Sequence, residues 1–132
     1  MSGINKALLA AGGSTGNNTH QSIGLPAVSA RLAFMLIAEA VGATPTVTWK
    51  VQVSADDTSI SDANSTWYDL LYFTPTTNDT PAATTRAVTA VGSDVVFADD
   101  ANGTRFWRKA RLVTSANTNV TYRGELVTQY RN

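Results

Sequence analysis

The chain has 132 residues, with ten basic and ten acidic side chains, 15% charged residues overall, no cysteine and a single histidine. A neutral chain of this kind has no bulk attraction for nucleic acid or an anionic membrane. Without cysteine it also has no disulfide framework, thiol nucleophile or thiolate metal site. The length suits one domain able to bury a hydrophobic core unaided. The apolar run at residues 7–11 falls short of a signal-peptide core of about 7–15 apolar residues, and no stretch nears the roughly 18 needed to span a bilayer, so the expectation is a soluble protein made in the cytoplasm. Threonine occurs 19 times, and Gly, Ser, Asn and Thr separate short runs rich in Val, Phe, Tyr and Trp. That alternation favours strands over helices.

Residues 1–22 contain Gly, Ser and Asn without strand periodicity. They are expected to form an extended N-terminal arm with no core of its own, leaving residues 23–132 as the domain. Ile4, Leu8, Leu9, Ile23 and Leu25 make the arm a candidate for ordering against a neighbouring subunit, a frayed terminus being the alternative. Residues 30–40, ARLAFMLIAEA, are nearly continuously apolar and hold good helix formers. The run is short, follows Pro26 and ends at Val41-Gly42, which favours a strand buried on both faces.

The clearest signal is TVTWKVQVS, where Val47, Trp49, Val51 and Val53 alternate with Thr48, Lys50, Gln52 and Ser54, the period of a half-buried strand. A polar loop at 56–66 leads to a strand at 67–73 closed by Pro75, then to a loop at 76–83. Residues 85–90 and 93–98 read as short strands divided by Gly92, and the Asn102-Gly103 dipeptide marks a tight turn after them. Strands at 105–115 and 120–130 are separated by an Asn117-Thr118-Asn119 turn, and Val127 breaks the alternation of the last one. The fold expected from these elements is all-β, an antiparallel β-sandwich of seven to eight strands, jelly-roll or immunoglobulin-like, with the N-terminal arm attached.

Chemistry is sparse. His20 lies in the arm with no serine, cysteine or carboxylate arranged around it, so a solvated residue is expected and no catalytic triad can be placed. Asp56, Asp57 and Asp62 share one loop but lack the D-x-D-x-D-G spacing and bidentate glutamate of a calcium site. Gly12-Gly13-Ser14-Thr15-Gly16 has the composition of a phosphate cradle without the following lysine or leading strand. No catalytic residue, cofactor or metal is therefore expected. One charge cluster stands out: Arg105, Lys109 and Arg111 share a strand face with Trp107. Stacking on single-stranded nucleic acid is one use of such a face, and an inter-subunit surface is the reading its composition favours.

Three segments, TVTWKVQVSADDT, TWYDLLYFTP and RFWRKARLVTSANTNVTYRGEL, together resemble small virion proteins of tailed bacteriophages over residues 30–130. The matching positions are 49–52, 67–70, the arginines 105, 108 and 111, and 115–122. Where that group has a serine-aspartate-glycine turn after the W-K-V-Q strand, this chain has Ser54-Ala55-Asp56-Asp57 and an insertion to Ser65. The resemblance implies a structural and not a catalytic role, that of a capsid decoration or cement protein. It implies the major capsid protein as partner, self-association as a dimer or trimer, and a place on the outside of the virion. A tail, neck or receptor-binding module is the alternative, with Trp67, Tyr68 and Tyr72 as a carbohydrate platform. Ile4, Leu8, Leu9, Arg105, Trp107, Lys109 and Arg111 are the expected partner contacts.

Overall fold

The computed structural model describes residues 4–26, 30–70, 85–98 and 107–130. Two long strands organise it. β3 (Ala30–Ser54) and β7 (Lys109–Tyr130) run antiparallel along their whole lengths, from Ala30 opposite Tyr130 to Ser54 opposite Lys109. β1 (Ile4–Ser14) lies along the second half of β7, while β2 (Ile23–Gly24) and a bridge from Thr19 to Val113 lie along its first half. Beyond β3, β4 (Tyr68–Asp69) pairs with residues 52–53, β5 (Arg86–Val88) with 47–49 and β6 (Gly92–Ala98) with 32–38.

Each line of this sheet breaks at the same level. The N-terminal line turns at Gly13 and Gly16, with φ of 79° and 76°; β7 does so at Ala116 and Asn119, with φ of 49° and 56°. In β3 the register jumps between Val41 and Thr46, where Thr44 has φ of 45° and Pro45 removes a donor at a point that carries no ladder bond. Asn117 fastens the bend by donating from Nδ2 to the carbonyls of Val120 and Gly16 and accepting from the amide of Val120. Folded there, the sheet becomes two layers. One consists of β1, residues 120–130 of β7, residues 30–41 of β3, and β6. The other consists of β2, residues 109–115 of β7, residues 46–54 of β3, and β5 with β4.

The alternation of apolar residues decides which faces meet. Leu32, Phe34, Leu36 and Ala38 point inward from the first layer, and Val47, Trp49, Val51 and Val53 from the second. The layers lie close at Gly124, where an added Cβ would stand 2.7 Å from Leu112 Cδ2 of the other layer and 3.2 Å from Leu9 Cβ on the neighbouring strand. A polar group also joins the layers from inside. The Asp94 carboxylate on β6 accepts from Trp49 Nε1 at 2.9 Å and from the Arg86 guanidinium fork at 2.8 Å on each oxygen, so burial leaves that charge paired and bidentate.

The fold is all-β and antiparallel, as expected, but three assignments change. Residues 4–14 are not an arm outside the core: β1 is a strand of the sheet, and Leu9 and Ala10 are buried in the core at 3% and 4% exposure. Without residues 4–25, the outer edge of β7 would present a row of unpaired backbone groups. Residues 30–40 and 46–54 form one bent strand, as do 109–115 and 120–130, because the breaks bend the chain without reversing it. The two short strands expected around Gly92 are present as β5 and β6, each paired with a different half of β3. Residues 32–38 are buried on one face and only half-buried on the other. The expected strand end at 71–73 with Tyr72, the 76–83 loop, the Asn102-Gly103 turn and Arg105 lie outside the described residues.

Candidate functional site

At the far end of the second layer, Ser54 and Lys109 close the β3–β7 ladder as a register pair. Both would face solvent, yet Ser54 is fully buried and Lys109 is 2% exposed, because the loop between β3 and β4 folds back over them. Asp56 shapes this loop. Its amide binds Ser54 Oγ, and its Oδ2 accepts from Ser54 Oγ and, ten residues on, from the Thr66 amide at 2.7 Å. A single 3₁₀ turn, Asp62–Asn64, then brings Asp62 toward the sheet.

Lys109 latches the loop. Its Nζ donates to the Ile60 carbonyl at 2.7 Å and to Ser65 Oγ at 2.5 Å, and stands 3.6 Å from Asp62 Oδ1. Asp62 in turn accepts from the hydroxyl and amide of Ser22, at 2.6 and 2.9 Å, which ties the N-terminal segment to the same point. Burial pushes Asp62 toward the neutral form. The two Ser22 bonds and the charges of Lys109 and Arg111 outweigh that and hold its carboxyl below the usual carboxylate range. Trp67 lies over the cluster, with its Nε1 bound to the Asp62 carbonyl at 3.0 Å and the Arg111 guanidinium carbon 4.0 Å from its ring centroid.

The polar groups of this cluster are engaged with one another. Lys109 is fully engaged as a donor facing a carboxylate. Ser65 accepts from it and donates to the Ser61 carbonyl, so the pair does not present a nucleophile beside a free base. The three loop aspartates also diverge. Asp56 serves Ser54 and Thr66, Asp57 faces Ser59 and Arg108, and Asp62 faces Ser22 and Lys109. What the latch accomplishes is mechanical: a loop fixed at both ends and its middle, with Ile60 at 41% exposure on its outer side.

The expected contact residues separate accordingly. Leu8 is 55% exposed, whereas Leu9, at the β1 bulge, is turned into the core and is not available to a partner. Ile4 pairs in register with Gln129, and its side chain lies outside the description. Lys109 is buried under the chain's own loop, and Arg111 is held between Trp67 and Gln52 Oε1 at 2.9 Å, so neither forms an open basic face. Trp107 packs partly against the core and stacks at a tilt on Tyr68, centroids 5.6 Å apart. His20 is not a solvated arm residue. Its Nε2 is 2.7 Å from Tyr122 Oη, which also meets Thr114 Oγ1 at 2.9 Å, and burial lowers its pKa. Sequence reasoning missed Ser65 and Trp67 as partners of Lys109, and Ser22 as the partner of Asp62, since no spacing rule connects residues so far apart in the chain.

The outer faces of the two layers differ. On the second, Lys50 and Gln52 both donate to Asp69 and Arg111 donates to Gln52 Oε1, which makes a polar network. On the first, the register sets Phe97, Ala33, Val127 and Lys6 in one row and Val95, Met35, Glu125 and Leu8 in the next, so apolar side chains from four strands share that face with charged ones at one side.

No family model matches this sequence, and no curated protein does. Among solved structures, the SPBc2 prophage-derived protein YomS superposes with a TM-score of 0.66 at 9% identity, covering 98% of this chain and 95% of that one. A chain in the structure of infectious bursal disease virus, Gx strain, superposes with a TM-score of 0.52 at 10% identity, covering 98% of this chain but only 32% of that one. At such identities the likeness is one of fold: the bent antiparallel sandwich described here is similar to a prophage-encoded protein along nearly its whole length.

Proposed function

We propose that this chain is a non-enzymatic structural virion protein that binds the outside of a bacteriophage capsid and stabilises the shell. The observation that carries this reading is the end-to-end fold likeness to a prophage-derived protein, and the partial likeness to a virus chain is in keeping with it. The neutral charge and the engagement of Lys109, Ser65 and His20 in structural hydrogen bonds support a binding role over a chemical one. On this reading the latched loop is the capsid contact. A loop held rigid beforehand loses little entropy on binding, and Ile60 on its outer side supplies the apolar anchor. The major capsid protein is the partner, and a self-associated decoration protein gains apparent affinity on a repeating lattice through effective concentration.

The experiment is cryo-EM of particles containing the chain, wild type and Ile60→Glu. Density on the head that disappears in the variant supports the reading; density on the tail rejects it. The pair formed by Tyr68, 54% exposed, and Trp107 favours a second reading, a receptor-binding tail module that stacks on sugars. Glycan-array binding lost in Tyr68→Ala would select that one.

A further inference from the structure

The first layer has an outer face that the described residues leave partly exposed. Outward positions on a solvated sheet ordinarily carry polar residues. Here β3 presents Ala33, Met35 and Ile37, and β6 presents Val95 and Phe97, the latter 40% exposed. Val127 of β7 joins Phe97 and Ala33 in one row, and Leu8 of β1, 55% exposed, closes the next. The second layer's outward positions form a hydrogen-bonded polar lattice instead. The asymmetry within one sheet singles out the first face, since contiguous apolar area of this sort marks an interaction site.

The charges on that face indicate what covers it. Lys6, Glu125, Arg123 and Glu39 form a chain of contacts across it: Lys6 to Glu125 at 3.0 Å, Arg123 to Glu125 at 3.3 Å and Arg123 to Glu39 at 3.1 Å. The order of sign is plus, minus, plus, minus. A two-fold axis lying in the interface and crossing this row reverses it, so the exposed Lys6 of one copy meets Glu39 of the other, while Glu125, 5% exposed, stays beneath Lys6 and Arg123 of its own chain. The row is complementary to itself, which an isologous contact requires. We infer that this face is the interface with a second copy of the chain, making a two-fold dimer. The inference deepens the self-association in the proposed function and does not depend on where the protein sits in a virion.

Sedimentation equilibrium of the purified chain, with circular dichroism to confirm folding, tests it. The wild type is expected to be dimeric at micromolar concentration. Leu8→Glu and Phe97→Glu, both at exposed positions, should keep the β spectrum and raise the dimer Kd by at least about tenfold. Ile60→Glu should leave the dimer intact, so that loss of capsid binding and loss of dimerisation are told apart. Lys6→Glu and Glu39→Lys should each weaken the dimer, and the double variant should recover it. Within one chain the double variant still sets a carboxylate at position 6 against Glu125 and an ammonium at position 39 against Arg123, so recovery can come only from the contact between copies. A monomeric wild type, dimers unaffected by both Leu8→Glu and Phe97→Glu, or a double charge reversal no better than the single ones would overturn the inference.

Discussion

Glycine at 124 faces Leu112 of the other layer with no room for a side chain, and replacing it with alanine reads the sandwich directly. In the interior of an ordinary strand, glycine is less stable than alanine by about 0.5–1 kcal/mol, so Gly124→Ala would stabilise a sheet with open space at that point. Here the new methyl would stand 2.7 Å from Leu112 Cδ2 and 3.2 Å from Leu9 Cβ, with the Ala10 amide nitrogen 3.4 Å away. Leu112 is fully buried, and Leu9 is fixed in the bulge of β1, so neither has room to withdraw. Overpacking of this size costs about 1–3 kcal/mol. For a domain of this length that lowers the thermal midpoint by roughly 3–15 °C. Leu112→Ala alone should cost about 2–5 kcal/mol. It also vacates the space that the added methyl at position 124 needs, so the double variant should be more stable than the sum of the singles by about 0.5–3 kcal/mol. Urea denaturation of the four proteins supplies the cycle. A higher midpoint for Gly124→Ala, or strict additivity in the cycle, would mean that the layers do not meet there.

Trp49→Ala should cost about 3–5 kcal/mol, since it empties a fully buried site and takes a donor from Asp94; a loss under about 1 kcal/mol in urea denaturation would put Trp49 at the surface. Lys109→Met should leave the fold intact and free the loop, at a cost of about 1–3 kcal/mol once the partial exposure of Asp62 is discounted. Faster amide hydrogen exchange over residues 57–66 is the readout, and unchanged exchange would contradict the latch. Truncation of residues 1–14 should abolish cooperative unfolding, because it removes β1 with Leu9 and Ala10; a sharp, wild-type-like transition would return those residues to the role of an arm. Glu125 and Asp62 are held below the usual carboxylate range, each by its hydrogen bonds and neighbouring cations against the opposing effect of burial. Their contribution is therefore present above the ordinary carboxylate pKa of about 4 and lost on further acidification. Burial makes the neutral form of His20 the favoured one in the fold, which adds a smaller loss once pH falls through about 6.5. Glu125→Gln should flatten the acid limb of a stability–pH curve, and stability that rises with acid would refute these assignments.

What was legible in the sequence follows from period. Val47 to Val53 alternate with polar residues, and their inward face could be read without coordinates. The bends could not, because Thr44-Pro45 and Asn117-Thr118-Asn119 have the composition of reversing turns. Whether such a segment reverses the chain or only bends it depends on the strand alongside, here the pairing of β3 with β7 at both ends. Leu8-Leu9-Ala10 hid a strand because the bulge shifts the alternation there by one residue. Val127 and the continuous apolar run at 33–37 did announce something. They broke or blurred the pattern because their outward positions carry the apolar face of the first layer. The latch left no such trace, since it assembles residues 22, 60, 62, 65 and 109 from three separate segments.

The most direct test of the central claim is the heat resistance of capsids assembled with and without this protein. Purified heads lacking the chain should bind it to saturation at equivalent lattice sites, and the loaded heads should release their genome at a higher temperature than bare ones. Heads that take up none of it at saturating concentration, or that bind it with no change in release temperature, would contradict a role in stabilising the shell.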